Sequence, residues 1–194
     1  MDLKEHQIRR KTIYEGSFIS MYEDDIELPN KKYSKRIVVD HVGAAAIVPL
    51  TIKGEVLLVK QYRYAISQVS LEIPAGKKDY RGEDAKLCAI RELEEETGHQ
   101  TKRIQKIHDI HTAIGFSNEM IELFVGYECF PVENPLKGDS DEFVEVVKIP
   151  FKDAIKMIHK GLITDAKTVV ALTYLENKWQ NHKECDGKNE DVKA

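Results

Sequence analysis

The chain has 194 residues, of which 42% are hydrophobic and 32% charged, and its formal net charge at pH 7 is -4. That length supports one substantial core and excludes two full domains, and the scatter of Lys and Arg among acids excludes the clustered cations that binding a phosphate backbone requires. No segment approaches the ~18 apolar residues of a membrane span, and the opening MDLKEHQIRRKTIYEG lacks the apolar run of a secretion signal, so a soluble, cytoplasmic protein with neither nucleic-acid nor membrane partners is expected.

Residues 12–28 and 35–41 are rich in β-branched and aromatic side chains, with the turn-prone Pro29, Asn30, Lys31 and Lys32 between them, which predicts β-hairpin structure. The apolar runs at 43–50 and 55–63, joined through Lys53 and Gly54, predict a second hairpin of buried strands. LEIPAGKKDYRG at 71–82 reads as a strand ending in Pro74, Ala75 and Gly76, then a polar loop. Over 82–97 the pattern is helical, with Glu83 and Asp84 in the first turn, Ala85, Leu87, Ala89 and Leu93 inside, and Gly98 as the C-cap. Strands are predicted over 104–112, 119–128 and 143–149. Helices are predicted over 151–160 and 165–179, the second because Ala166, Val169, Val170, Thr173 and Tyr174 recur at helical spacing. Residues 182–194 are polar and short of anchors, which predicts a disordered tail.

Cys88, Cys129 and Cys185 match the spacing of neither a zinc site nor a disulfide framework and are read as small buried or incidental residues. His41, His99, His108 and His111 are isolated near strands, and no role is assigned to them. The helix over 82–97 is different. At 100° per residue Glu92, Glu95 and Glu96 fall within a ~100° sector beside the small residues Ala85, Cys88 and Ala89. Two of the acids also stand in the last turn, where the helix dipole opposes negative charge. Like charges at these spacings repel unless a cation sits between them, and only Arg91 is near in sequence. A hard divalent ion resolves the conflict, and magnesium, which keeps waters and contacts substrate phosphates, suits the ligands. Gly76 allows backbone to approach a ligand closely, with the Ala75 carbonyl facing the metal.

These residues resemble the Nudix box, G-x5-E-x7-R-E-U-x-E-E-x-G-U with U a bulky apolar residue. Gly76, Glu83, Arg91, Glu92, Leu93, Glu95, Glu96 and Gly98 match it; six residues instead of five follow Gly76, and His99 takes the last apolar place. VKQYRYA at 59–65, LEIPAG at 71–76, GFSNEMIELFV at 115–125, GDSDEFVEVV at 138–147 and GLITDAKTVVAL at 161–172 extend the resemblance over about residues 12–179, and they are most similar to the ADP-ribose pyrophosphatase branch. Members preferring ADP-ribose usually carry a proline where Ile114 stands here.

The resemblance implies an α/β/α sandwich on a mixed sheet, with a β-rich segment at 1–40 that helps to build a homodimer, a hydrolase domain at 41–181 and a tail at 182–194. It implies magnesium-dependent hydrolysis of a nucleoside diphosphate derivative, ADP-ribose giving AMP and ribose 5-phosphate; manganese is a possible substitute ion. Ala75, Glu92, Glu95 and Glu96 are implied as metal ligands and Arg91 as the residue that orients the glutamates. Glu142 is implied as the general base, with Asp141 and Glu145 as alternatives. Arg36 and Arg63 are candidates for contact with substrate phosphate and ribose, because a planar guanidinium binds two phosphate oxygens together, and Glu119 is a candidate to assist with metal or substrate. Ile114 keeps another nucleotide sugar or a dinucleotide open as substrate, and a Nudix-like ligand sensor without catalysis is a further alternative.

Overall fold

A computed structural model describes residues 2–138 and 142–187, with side chains as far as residue 180. Strands β1 (His6–Glu15), β2 (Ile19–Glu27) and β3 (Tyr33–His41) pair antiparallel in a sheet of their own. The stretch expected over 12–28 is divided at its start, where the Gly16 N–H donates to Ile19 O at 2.9 Å and reverses the chain. Strand β1 begins well before residue 12, and every residue of it is exposed. Its register is set by charge rather than by apolar alternation: Arg10 forks onto Asp24 at 2.7 and 2.6 Å, and Arg9 reaches Asp25 at 2.6 Å.

The second sheet contains β4 (Ala44–Thr51), β5 (Glu55–Arg63), β6 (Gln68–Glu72), β7 (Ala75–Lys77), β8 (His99–Gln100), β9 (Arg103–His111), β10 (Met120–Pro131) and β11 (Glu145–Pro150). Its order is β11-β5-β4-β10-β8, with β6 on β5, β7 on β4 and β9 on β10. Strands β4 and β10 run parallel and the other pairs antiparallel, so the sheet is mixed. The hairpin expected from 43–50 and 55–63 closes only at Leu50 and Val56. Beyond that pair the strands splay. The Pro74 carbonyl accepts the Ile47 N–H at 3.0 Å, and β7 takes the freed edge of β4 opposite Ala44, Ala45 and Ala46. This displacement brings Ala75 and Gly76 to the end of a central strand.

Helix α1 (Ala85–Thr97) covers one face of the sheet, and α2 (Phe151–His159) and α3 (Ala166–Gly187) cover the other. Side chains on β4 alternate between the two cores, as the strand period of 2 requires: Ala45 and Ile47 pack with Ala89 and Leu93 of α1, while Ala44, Ala46 and Val48 pack with Ile155 and Leu172. The result is the expected α/β/α sandwich. Helix α3 continues to Gly187, past the boundary at 181, because no proline or glycine interrupts it earlier; the rest of the expected tail lies outside the described residues. No helix among the described residues is long and apolar enough to cross a membrane.

A buried hydroxyl helps to tie helix α3 to the sheet. Thr168 accepts the Ile73 N–H at 2.8 Å and donates to Asp165 at 2.6 Å. Thr168→Val leaves a buried amide without a partner, which costs about 1–3 kcal/mol. The urea midpoint should fall by that free energy divided by the slope, with the slope itself unchanged, and Thr168→Ser should recover most of it.

Candidate active site

Helix α1 is fixed at both ends. Asp84 is its N-cap and accepts the N–H groups of Lys86 and Leu87 at 2.8 and 3.1 Å, and Gly98 closes it in the left-handed region at φ 65°. The start therefore lies later than the predicted residue 82. Gly82, at φ 97°, turns the chain instead of entering the helix, and Glu83 precedes the cap, where its carboxylate accepts the Asp79 N–H at 2.7 Å. With the helix so clamped, Ala85, Cys88, Ala89 and Leu93 pack on the sheet and the three acids fall at the edge of that packed face.

Two of the acids are buried. Glu92 is 7% exposed and Glu96 8%. Burial pushes the Glu92 carboxyl up to about 7, against the Arg91 charge and helped by Glu95 and Glu142. Burial likewise pushes Glu96 up to about 8, with Glu92 adding to it and the Ala75 N–H, 3.1 Å from Glu96 Oε2, opposing it. Arg91 places Nη1 at 2.7 Å from Glu92 and 2.9 Å from Glu95. Cys88, beneath them, has its thiol driven to about 12 by burial, so it is an inert packing residue rather than a nucleophile.

Glu92, Glu95, Arg91 and Ala75 line a cavity of about 390 Å³, and so do Arg63, Glu119 and Glu142. The fold thus gathers the candidate ligands, the orienting arginine, the candidate base and two candidate substrate contacts into one place. Glu96 stands behind Glu92 and Ala75. Arg36 is not brought there: it lies on the separate sheet, forked onto Glu5 at 3.1 and 2.5 Å. Of the other two candidate bases, Glu145 is on β11, paired with Lys60 at 3.1 Å, and Asp141 lies outside the described residues.

Arg63 is committed in part to a buried partner. Its Nε and Nη2 each lie 2.7 Å from the two oxygens of Glu72, and Lys167 also pairs with Glu72. Burial alone would raise the Glu72 carboxyl, yet the hydrogen bonds from Arg63 and the charge of Lys167 outweigh it and hold it at about 2. Lys167, His41, Lys77 and Asp79 also line the cavity and were not picked out from the sequence. The hydropathy pattern marks Lys167 only as the second residue of a helix; its burial depends on the long-range approach of β6.

Three features fit a divalent cation. The carboxylates supply hard oxygens and are held together at an energetic cost that a cation relieves. A Cβ at Gly76 would overlap the Glu92 carboxylate, so backbone and carboxylate are pressed together as shared ligation requires. Among the described residues the buried Arg91 Nε has no partner, and an anionic group carried in with the cation would supply one. Among the described residues no three His, Cys, Asp or Glu side chains are already arranged to hold a metal ion, so backbone, water or phosphate oxygens would have to complete the ligand set.

A family model for the NUDIX domain matches residues 40–172. The chain is 41% identical over 176 residues to the ADP-ribose pyrophosphatase of Bacillus subtilis (strain 168), covering 91% of this chain and 95% of that protein. It is 38% identical over 173 residues to the methanol dehydrogenase activator of Bacillus methanolicus, covering 89% and 93%. The fold is similar to the crystal structure of an ADP compounds hydrolase, with a TM-score of 0.81 over 94% of this chain and 98% of that one; the 19% identity makes this a likeness of fold alone.

Glu92 and Glu96 both stand above the ordinary value of 4.5. Between that value and about 8 the metal-free folded state therefore holds protons that the unfolded state has lost, and stability falls as pH rises through the window. Thermal unfolding of metal-free protein should show this decline from pH 5 to pH 8.5, and Glu96→Gln should flatten it. A divalent ion should restore stability at pH 8.5 far more than at pH 5. Identical pH profiles for the two proteins would refute the assignment.

Proposed function

Since the chain belongs to the Nudix family of pyrophosphohydrolases, we propose that it hydrolyses ADP-ribose to AMP and ribose 5-phosphate in the cytoplasm, with magnesium as its cofactor. The observation that carries this is the meeting of Glu92 and Glu95 of α1, the Gly76 backbone and Glu142 in one cavity, with the buried Glu96 behind them. The similarity to an ADP-ribose pyrophosphatase along nearly the whole chain supports the substrate.

Magnesium, when bound, supplies the positive charge that neutralises the diphosphate oxygens and acidifies water. Glu92, Glu95, Glu96 and the Ala75 carbonyl would hold it. Arg91 keeps Glu92 and Glu95 pointed at the same place, through charge-assisted bonds that cost little to maintain at a site already crowded with anions. Glu142 takes a proton from water; the water oxygen bonds to phosphorus, and the bond from phosphorus to the bridging oxygen breaks. Arg63 holds Glu72 with Nε and Nη2, which leaves Nη1 to meet a substrate phosphate. Arg36 lies outside this cavity, so its proposed substrate contact requires a homodimer in which the N-terminal sheet of one protomer reaches the cavity of its partner.

A second reading is a different nucleoside diphosphate sugar or a dinucleotide, and Ile114 favours it. It stands where ADP-ribose-preferring members usually have proline, and it is 82% exposed in the loop that ends at Glu119. The non-catalytic sensor has less support, because every acid of the box is present and assembled.

Purified protein with magnesium should release AMP and ribose 5-phosphate from ADP-ribose faster than it cleaves other nucleotide sugars or dinucleotides, as read by chromatography. Glu142→Gln should lower kcat by ~10²–10⁴-fold with little change in KM, as loss of a general base does. Preference for another diphosphate would move the substrate but keep the mechanism. Ligand binding without any turnover would overturn the hydrolase reading.

A further inference from the structure

The box closes in this chain on His99 instead of an apolar residue. The side chain is 6% exposed, so it is buried as an apolar one would be, yet it brings two ring nitrogens that need partners. His99 Nδ1 lies 2.6 Å from Thr97 O. A carbonyl can only accept, so Nδ1 carries the hydrogen and Nε2 presents its lone pair. Lys148 Nζ lies 3.3 Å from Nε2 and donates to it. His99 is on β8 and Lys148 on β11, at opposite ends of the strand order, so their meeting is a product of the fold.

This setting distinguishes Lys148 from a solvated surface lysine. It is exposed, it has no carboxylate in ion-pair range among the described residues, and its amine meets a base instead. Burial and the Lys148 charge hold the imidazole below its ordinary value, against the pull of the Thr97 carbonyl, so at pH 7 the ring is neutral and able to take a proton. The pair opens on a second cavity of about 430 Å³, which shares no lining residue with the first and is also lined by Lys53, Glu55, Lys102, Glu128 and Cys129. Glu128 is paired with Lys102 at 3.2 Å, and Glu55 accepts the Thr51 hydroxyl at 3.3 Å. Lys53 has no carboxylate partner among the described residues, so it leaves a positive charge beside the amine for an anion to meet. The Cys129 thiol does not compete as a nucleophile: it is buried, it donates to Gly126 O at 3.5 Å, and burial raises its pKa.

We propose that Lys148 is a modification site, acylated by an acyl phosphate with His99 as the general base. In the molecules whose amine is neutral, one N–H stays on His99 Nε2 while the nitrogen lone pair attacks the acyl carbon. The bond from nitrogen to carbon forms, and His99 takes the proton that the nitrogen sheds. The bond from the acyl carbon to the phosphate oxygen then breaks, and the proton passes from His99 to the departing phosphate, which leaves the imidazole neutral again. The product is an uncharged amide at Lys148 and inorganic phosphate. The negative phosphate of the donor is the group that Lys53 attracts. This site works apart from the hydrolysis in the first cavity and does not depend on it.

The whole protein is incubated with acetyl phosphate at pH 8, and acetylation of each lysine is timed by peptide mass spectrometry. Lys148 should react at least ~10-fold faster than Lys4 and Lys152, since a positioned base contributes ~10²–10⁴-fold. Those two are exposed and make no hydrogen bond to an imidazole among the described residues. His99→Leu and His99→Gln, the second of which keeps an acceptor but no base, should each bring Lys148 down to the rate of Lys4 and Lys152 while leaving those two rates unchanged. Lys53→Ala should slow the reaction of Lys148 with acetyl phosphate but not with an uncharged acetyl ester. Acetylation of Lys148 no faster than that of Lys4 and Lys152, or undiminished in either folded His99 variant, would overturn the proposal. A Lys53→Ala protein that reacts with acetyl phosphate at the original rate would overturn the acyl phosphate as donor.

Discussion

Everything at this site depends on confining like charges away from water. Carboxylates on successive turns of a helix repel each other, and taking them out of solvent adds a desolvation penalty of several kcal/mol per ion. Glu92 and Glu96 meet both costs, and the protein relieves them by letting protons stay at neutral pH. Arg91 offsets part of the repulsion, while its own Nε finds no partner among the described residues. A domain that needed only stability would expose these residues or replace them; here they are kept, and the strain is stored where a cation and a polyphosphate would discharge it.

The scaffold can be understood as the means of keeping that strain in place. Splaying of β4 from β5 admits β7, which carries the Ala75 N–H to Glu96 and presses the Gly76 backbone against Glu92. Leading into that approach, Glu72 and Ile73 are anchored to α3 by Lys167 and Thr168, and Glu72 also grips Arg63 of β5. One buried carboxylate with two cationic partners thus connects a helix and two strands around the cavity. On the other side of α1, Glu94 accepts the Leu136 N–H at 3.1 Å and the Gln100 side chain at 2.8 Å, which fixes the start of the segment that leads towards Glu142. The acids of one helix therefore divide by face: Glu92 and Glu95 line the cavity, and Glu94 holds the adjoining chain in place.

Local features were legible in the sequence and distant pairings were not. The amphipathic pattern and Gly98 locate α1, and the spacing of Glu92, Glu95 and Glu96 alone identifies a charge conflict. Asp84 and Glu83 were misplaced by a turn because an acid near a helix start can cap it or enter it, and the choice depends on the φ of Gly82. Strand β1 escaped notice because its register is held by Arg–Asp forks and not by an apolar period. The open hairpin of β4 and β5 was invisible because both strands are buried runs without alternation, which say nothing about which edge pairs with what. His41 and Lys167 reach the cavity only through such long-range pairing, so nothing in their own neighbourhoods distinguished them from an ordinary strand end and an ordinary helix start.

The central claim is that Glu92 and Glu96 hold protons in the metal-free protein and give them up to a divalent ion. Calorimetric titration of magnesium at pH 7, run in two buffers of different ionisation enthalpy, counts the protons released on binding. The account predicts release of roughly one proton per chain at pH 7, falling towards zero at pH 9, as expected when ligands must deprotonate to bind. Binding with no proton release at pH 7 would contradict it.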